Sequence, residues 1–377
     1  SVSGADFYAG SPHLEGNHEG VAGHLQHIWN RGGTEALGRL FAVLHDAAGL
    51  GPQAYRERLG DLSPGTALAP AGQMAAGMSN FMGALMSCQE VDGLGTEARE
   101  RDCLWGQVSR RDLDHDGGNG APGFSFDTTT YQFGGQRQFK PDWFIGGSLA
   151  YQDSRLTGQT GRVSGKGDAG YAGLVVKHQS GPWLYSGALA GGYGSFRLHR
   201  RLNIEDYDQQ ASGKPDVYSV GIRLRAMRHI ALAERLYLKP YVDLDAFYTR
   251  MSGYTESGGA LGLQVEGSDQ FVVGLTPTIE FGGRIDLVDG AVMRPYAYAG
   301  VSLLSKDSWS TVSRLRGGPA DSTGFSTTLP GDHVIGRYGV GVQLNTQSGV
   351  DFRLQYDGET SSRTQSHAGQ LKMMYRF

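Results

Sequence analysis

The chain has 377 residues and a formal net charge of -4. This balance lacks the basic surface that binds nucleic acid, so nucleic acid is not expected as a partner. No run of about 18 apolar residues occurs, which excludes a membrane-spanning helix but allows a membrane barrel, whose strands of about ten residues alternate in polarity.

The N-terminal part of the chain has the period of helices. Asn17 is expected to cap a first helix, in which Val21 and Leu25 begin an apolar stripe at helical spacing. Pro52 opens a later helix at a position where proline is favoured. We assign residues 1–65 to a helical linker region.

A further helical segment, from about Thr66 to Cys88, has almost no charge and consists largely of Ala, Gly, Met and Ser. Such a helix is narrow, because small residues let neighbouring backbone approach and methionine fills irregular gaps. An ordinary buried helix of a soluble bundle would fit too, but the rest of the chain is not helical. We assign residues 66–102 to a helix inside a lumen and its connection; the residues assigned to this plug are Gln73, Met74, Met78, Ser79, Asn80 and Met82.

The two cysteines, Cys88 and Cys103, flank a short polar segment. They are either a disulfide, which would contribute about 3 kcal/mol by closing a short loop, or two unrelated buried thiols. We favour the disulfide. Two cysteines without nearby histidines make a poor zinc site, and no metal or other cofactor is expected.

From Leu104 onward the period changes to that of strands, and residues 103–377 read as one barrel. About twelve alternating segments occur, an even number that suits a bacterial outer-membrane barrel. Their approximate cores are 104–111, 127–138, 143–153, 168–178, 183–196, 217–229, 235–249, 270–286, 291–304, 335–345, 350–357 and 367–377.

A soluble β-sandwich also alternates, so the connections decide between the two folds. They run long and short in turn: a long polar link follows the first segment, three residues follow the second, and the order repeats. Outer-membrane barrels have long loops on one side and tight turns on the other. We therefore predict an all-β membrane protein: an antiparallel transmembrane β-barrel of about 12 strands, with an N-terminal helical segment and one helix filling the lumen.

The chain closes on the heptapeptide LKMMYRF. Leu371, Met373, Tyr375 and Phe377 fall on one side of an extended strand. We interpret this segment as the last barrel strand, paired with the first strand near Trp105, with its aromatic side chains toward lipid.

The order of these elements resembles the C-terminal translocator of classical type V autotransporters. The resemblance covers nearly the whole chain and is most specific in GFSFDTTTYQFGGQRQF and WFIGGSLAY, with NHEGVAGHLQHIW before the barrel and the terminal Phe377. It implies a monomeric translocator in the outer membrane of a Gram-negative bacterium, which exports its own N-terminal passenger to the cell surface. Residues 1–65 would then adjoin the passenger.

The resemblance also implies partners for assembly, and it bears on whether the chain cleaves its passenger. The BAM machinery would read the last strand through Leu371, Met373, Tyr375 and Phe377, after periplasmic chaperones had delivered the chain. Some members cut their passenger at paired asparagines in the helix, but only Asn80 lies in this helix, so self-cleavage is not expected. The chain itself is not expected to be an enzyme, and the passenger's activity lies outside it.

Charged residues of both signs fall on the strand faces opposite the apolar ones. Three interpretations stay open: pairs across the barrel, attachment of the plug helix, or a role in translocation. The residues assigned to the lumen wall are Arg223, Arg225, Lys239, Asp243, Asp245, Glu280 and Arg353.

Other classes of outer-membrane barrel remain as alternatives, either a diffusion pore or a hydrolase of the omptin or phospholipase type. Asp332 beside His333, or the pair Asp243 and Asp245, are the candidate hydrolase residues, but neither has a partner at a recognisable spacing. A calcium loop at 112–123 lacks its last carboxylate, since Gly123 stands there. The histidines at 18, 24 and 27 are more typical of a solvated stripe than of a metal site.

Overall fold

The structure is a computed structural model that describes residues 6–10, 14–86, 88–91, 98–204, 207–287 and 290–377. Twelve strands close into one antiparallel barrel, in which the last strand pairs with the first. They are β1 (Cys103–His115), β2 (Phe124–Lys140), β3 (Trp143–Gly158), β4 (Val163–Ser180), β5 (Trp183–Ile204), β6 (Asp216–Arg228), β7 (Leu236–Met251), β8 (Ser268–Gly283), β9 (Val292–Leu304), β10 (Val334–Asn345), β11 (Val350–Thr360) and β12 (Thr364–Arg376). The predicted fold class is confirmed.

Each predicted segment corresponds to one strand, but several strands run further than their predicted cores. β5 has 22 residues and ends at Ile204, whereas its predicted core ended at residue 196. The expected long link between β3 and β4 shrinks to residues 159–162. Buried and exposed side chains keep alternating to the end of β3, so the strands continue beyond the roughly ten residues that cross a bilayer.

The closing strand shows how the wall separates two environments. Leu371 and Met373 of β12 are each 51% exposed on the outside of the barrel, whereas Lys372 between them is only 5% exposed. Met374 lies opposite Trp105 of β1. The apolar stripe of the last strand therefore faces outward, and the charged face lines the lumen.

In the described residues four helices precede the barrel: α1 (Asn17–Asn30), α2 (Gly38–Leu50), α3 (Pro52–Leu62) and α4 (Ala69–Leu85). No helix in the described part of the chain has the length and apolar character needed to cross a bilayer. The 3₁₀ turns are Glu35–Leu37, Gly65–Leu68 and Gly259–Leu261, and the short strands are Gln89–Val91, Ala98–Glu100, Tyr207–Gly213, Ile230–Ala233, Tyr254–Thr255, Leu263–Val265, Ile285–Asp286, Ser308–Leu315 and Phe325–Pro330.

The expected cap at Asn17 is wrong. Gly16 precedes α1 without a side-chain cap, and Asn17 is the first residue of the helix. Its side-chain amide instead bonds the backbone of Thr328, donating to the carbonyl at 2.9 Å and accepting from the N–H at 2.8 Å. The side chain thus attaches α1 to a strand that is 311 residues away in sequence.

Helices α1–α3 lie over the long-loop end of the barrel. They share a hydrophobic core with a four-stranded sheet formed by the loops; its members include Leu25 of α1, Leu59 of α3, and Leu315 and Phe325 of the sheet. We call α1–α3 together with this sheet the cap. An ion pair adds to the contact between the cap and the barrel: Arg162, in the link between β3 and β4, binds the Asp61 carboxylate at the end of α3.

His24 also joins α1 to the sheet of the cap. Its Nδ1–H donates to the carbonyl of Thr323 at 2.6 Å, and its Nε2 accepts the N–H of Leu315 at 3.3 Å. Burial lowers the pKa of His24, an effect that the Thr323 carbonyl only partly offsets. The ring is therefore held neutral, as a link between backbone groups.

Candidate functional site

The lumen of the barrel is filled on one side by α4. The helix begins at Ala69 beneath the cap and ends at Leu85 near the short-turn end, where Lys177 of β4 donates to the carbonyl of Met86 at 3.0 Å. It packs mainly against the inner faces of β2–β7. We call this part of the wall the near half, and β8–β12 with β1 the far half.

Small residues of the wall allow this close packing. A Cβ at Gly173 of β4 would lie 2.8 Å from a ring carbon of Phe81, and one at Gly194 of β5 would lie 2.8 Å from the sulfur of Met74. Larger residues at either position would push the helix away. The plug residues that are fully buried here are Met74, Met78 and Met82.

Polar side chains fix the helix at two heights. Gln73 donates to the hydroxyl of Thr128 at 3.1 Å, close to the cap. Farther down, the Arg223 guanidinium donates to the hydroxyl of Ser79 at 2.9 Å. Both bonds join a helix side chain to the near half of the wall, so they define the depth at which the helix sits.

A third attachment reaches across to the far half. The amide oxygen of Asn80 accepts a hydrogen bond of 3.3 Å from Arg111 of β1. Arg111 also pairs with Glu359 of β11 at 3.0 Å, and Arg337 of β10 pairs with the same carboxylate at 2.9 Å. The sequence alone did not predict this triad, because Glu359 lies beyond the predicted end of its strand.

Two arginine–aspartate pairs stand side by side in the near half. Arg223 contacts both carboxylate oxygens of Asp245, at 2.6 and 3.0 Å. Arg225 contacts both oxygens of Asp243, at 2.6 and 2.7 Å. Bidentate pairs of this kind combine charge attraction with fixed orientation, which a buried ion pair needs to offset its desolvation.

Of the remaining predicted wall residues, Lys239 and Glu280 lie where β7 meets the far half, and Arg353 lies on β11 within the far half. Lys239 pairs with Glu280 at 2.7 Å, and Tyr237 donates to the same carboxylate at 2.8 Å. Arg353 donates to Gln343 at 2.9 Å. All seven predicted wall residues face the lumen. Their ion pairs join neighbouring strands and not opposite walls, so the expectation of pairs across the barrel does not hold for them.

A cavity of about 220 Å³ separates the helix from the far half. Its lining is polar and charged: Arg337, Arg353, Asp357 and Lys372 project into it from the far half, and Arg225 lines it from the near half. Ion pairs, polar amides and space for water occur together there. The lumen is therefore closely packed where α4 touches the near half and open where it faces the cavity.

The short-turn end of the lumen is closed by a covalent and an ionic link. Cys88 and Cys103 are joined by a disulfide, which ties the segment after α4 to the start of β1. Beside it, Lys177 pairs with Glu100 at 2.8 Å, and both side chains are almost fully buried. Lys177 falls on the inward side of a predicted strand, so the alternation could have identified it.

The candidate hydrolase residues do not converge. His333 lies 3.3 Å from Asp307, whereas the Asp332 carboxylate accepts hydrogen bonds from Ser361 and Ser362 in the neighbouring loop. Burial opposes ionisation of Asp332, but these hydroxyl donors hold its pKa below the ordinary value. The other candidate pair, Asp243 and Asp245, is occupied by arginines.

Neither candidate metal site forms a ligand cluster in the described part of the chain. Nowhere in these residues do three or more His, Cys, Asp or Glu side chains converge as a metal site would require. Asp112 and Asp114 alternate with inward residues along β1, and His24 bonds backbone groups of the cap. The surroundings of these residues therefore do not have the geometry of a metal site.

The barrel sequence is similar to that of a known protein family. The autotransporter beta-domain family matches residues 104–357 in sequence. No curated protein matches the chain in sequence.

Solved structures share the fold. The translocator domain of the autotransporter NalP from Neisseria meningitidis matches with a TM-score of 0.63 at 15% identity, over 83% of this chain and 97% of that one. The beta domain of the Bordetella autotransporter BrkA matches with a TM-score of 0.54 at 16% identity, over 74% and 100%. The transport unit of AIDA-I from Escherichia coli matches with a TM-score of 0.50 at 11% identity, over 79% and 97%.

Proposed function

The chain belongs to the autotransporter beta-domain family, and from that premise we propose how its barrel and helix carry out export. The barrel is an outer-membrane translocator, which delivers its own N-terminal passenger to the cell surface. We propose that α4 is the last part of the exported segment, and that it stays in the lumen as a plug when export is complete. The role assigned to the chain is transport, without a catalytic step.

One observation carries this proposal: a single chain passes through a closed barrel. Residues 14–62 lie at the long-loop end, α4 runs down the lumen, and β1 begins at the short-turn end. Because long loops of outer-membrane barrels face outward, the N-terminal side of the plug lies outside the cell. This is the path of a chain whose N-terminal part has crossed the membrane through the barrel.

The same path supports a division into three parts. We propose that residues 1–65 adjoin the passenger and cap the mouth, that 66–102 form the plug and its connection, and that 103–377 form the membrane barrel. The plug residues and the lumen-wall residues named above are proposed to hold α4 in place. The disulfide between Cys88 and Cys103 would keep the plug's lower end at the first strand.

We further propose that the BAM machinery and periplasmic chaperones assemble the barrel. The outward stripe of β12 supports this, since Leu371, Met373, Tyr375 and Phe377 are all exposed. Phe377→Ser should lower the fraction of heat-modifiable barrel in cell envelopes. Phe139→Ser, which changes another exposed phenylalanine, is the matched control; equal loss in both variants would contradict a specific signal at the C-terminus.

Surface display tests the export function directly. A signal peptide and an epitope are fused before Ser1, the fusion is expressed in a Gram-negative host, and protease is added to intact cells. We expect the epitope to be cut while the barrel stays folded. A folded barrel whose epitope is cut only after the outer membrane is opened would overturn the proposal. A chain lacking β12 serves as the control without a closed barrel.

A further inference from the structure

The outer surface of the barrel has an open apolar depression of about 850 Å³ on β1–β5. Its floor contains the small residues Gly147, Ala172 and Gly191, which leave the wall thin. Large exposed side chains form its edges: Leu104, Phe133, Leu149, Leu174 and Leu189. A depression with apolar edges in a membrane-facing surface offers space to acyl chains.

On the long-loop side of this depression, two outward tyrosines lie in one row with a gap between them. Tyr151 of β3 and Tyr193 of β5 lie on either side of Gly170 of β4 in one row of cross-strand partners. A Cβ at Gly170 would meet only the carbonyl oxygen of Ala150, at 3.9 Å. Gly170 therefore leaves an open slot between two tyrosines, where the structure would accommodate a side chain.

Three cations stand directly above the slot. Arg155 of β3 is the cross-strand partner of Lys166 of β4, and Lys166 is the partner of Arg197 of β5. All three are exposed. Like charges directly opposite each other destabilise a sheet by a few tenths to about 1 kcal/mol each, so this row costs stability unless an anion lies on it.

None of the three makes an ion pair or a side-chain hydrogen bond with another described residue. Other outward arginines at this end have acidic neighbours: Arg110 lies 3.7 Å from Asp127, and Arg250 is the cross-strand partner of Asp269. Asp127 is also the cross-strand partner of Arg155, but no ion pair forms between them. The three cations thus lie side by side, with a carboxylate in their row only beside Arg155.

Two carboxylates set the height at which an anion would bind. Asp153 and Asp168 are partners in the row between the tyrosines and the cations, and Tyr151 donates a hydrogen bond to Asp168. They repel a phosphate at their own level. The cations lie four residues beyond the tyrosines, roughly 10 Å higher for tilted strands, which is the level of the outer headgroups and the sugars attached to them.

We propose that this face of β3–β5 binds one phosphorylated glycolipid of the outer leaflet. Its acyl chains lie in the depression, the chain–headgroup junction passes through the slot at Gly170, and a phosphate lies on Arg155, Lys166 and Arg197. The assignment to the outer leaflet rests on the proposed orientation of the barrel. A bound lipid supplies an anion to the row and covers the thin wall at the floor of the depression.

The test is native mass spectrometry of the refolded full chain titrated with diphosphoryl lipid A. Two variants attack separate parts of the site: Arg155→Gln/Lys166→Gln/Arg197→Gln removes the cations, and Gly170→Tyr fills the slot. We expect one retained lipid on the unchanged protein and at least about tenfold weaker binding in each variant, since charge-assisted contacts to phosphate are strong.

Two matched controls accompany them. Arg250→Gln removes an outward arginine elsewhere, and Gly187→Tyr adds a tyrosine to β5 outside the depression; both should bind lipid A like the unchanged protein. Binding by Gly170→Tyr or by the triple variant at the unchanged level would overturn the proposal, as would equal losses in the controls. Excess inorganic phosphate should not displace the lipid; if it does, the site is a phosphate site and not a lipid site.

Surface display of the epitope, measured in the same variants, keeps this proposal separate from the export function. We expect display to persist when lipid binding is lost. Loss of display with lipid binding intact would concern the translocator function alone. Heat-modifiable mobility on a gel identifies any variant that fails to fold, and the other variant then decides the question.

Discussion

The near and far halves of the lumen wall differ in how closely α4 packs against them. The near half presents Ala188, Ala190 and glycine to α4 and buries the methionines of the helix. The far half presents charged and polar side chains to a cavity. The helix packs closely on the small residues of the near half and faces the far half across the cavity.

This difference explains why the helix is off-centre. Apolar burial stabilises by roughly 25 cal/mol per Å², so a narrow helix gains most where small wall residues let it approach closely. A charged wall would have to be desolvated to pack as closely. The plug is thus held by burial and two side-chain hydrogen bonds on the near side, and by the bond from Arg111 to Asn80 on the far side. Such attachment suits a segment that first moves through the lumen and then stays.

Removal of α4 should have the largest effect, because it abolishes the difference between the two halves of the wall. A chain without residues 66–88 loses the contents of the near half, and both halves then line one water-filled lumen. We expect its conductance in planar bilayers to rise on the order of tenfold over that of the full chain, because a barrel of twelve strands is too wide for its own side chains to fill.

The matched control lacks residues 1–62 but keeps α4, and it should conduct as weakly as the full chain. Cys88 and Cys103 are changed to serine wherever they remain, so that no free thiol differs between the chains. Equal conductance with and without residues 66–88 would show that the helix does not block the lumen.

Arg223→Gln should have the next largest effect. It leaves the Asp245 carboxylate buried in the near half without its bidentate partner and removes the bond to Ser79. The side chains of Arg223 and Asp245 are only 2% and 5% exposed. The free energy of unfolding should fall by about 3–5 kcal/mol, as for other broken buried pairs, measured by urea unfolding in detergent or lipid. Rescue by Arg223→Gln/Asp245→Asn would show that the unpaired charge is the cause.

A single methyl group on α4 should distinguish a closely packed position of the helix from one with space beside it. A Cβ at Gly77 would lie 2.3 Å from the hydroxyl of Tyr171 and 2.9 Å from Gln152, so Gly77→Ala forces the helix off the near half. At Gly83 the nearest atom is the flexible end of Arg223, at 3.4 Å. We expect Gly77→Ala to destabilise by about 1–3 kcal/mol through overpacking.

Gly83→Ala is the control, because it adds the same methyl group and the same gain in helix propensity. It should be neutral, or stabilising by up to about 1 kcal/mol. Urea unfolding measures both variants, and bilayer conductance reports whether the plug has loosened. A similar loss in both would mean that the two positions are packed equally closely.

Much of this architecture could be predicted from the sequence, because a barrel strand repeats a simple pattern. Alternation placed Arg223 and Lys239 on the inner face, and an uncharged run of small residues placed α4 in a confined space. Strand ends were harder, because above the membrane both faces become polar while the backbone pairing continues. Glu359 was lost for that reason.

The partners of inward charges could not be predicted at all. Which carboxylate an arginine meets depends on the register between strands, and alternation does not fix that register. The role of Asn17 was missed for a related reason. Its sequence position favours a helix cap, but a strand that is distant in sequence offers its amide two backbone bonds.

Arg337→Gln should have the smallest effect and sharpens the contrast with Arg223→Gln. Glu359 keeps Arg111 at 3.0 Å when Arg337 is removed, and the Arg337 side chain is 23% exposed toward the cavity. Water and the remaining partner replace the lost contact, so the free energy of unfolding should fall by less than about 1 kcal/mol. A loss as large as that of Arg223→Gln in the same urea experiment would mean that the far half is as dry as the near half. Higher salt should reduce the effect of Arg337→Gln more than that of Arg223→Gln, because a hydrated pair is screened and a buried one is not.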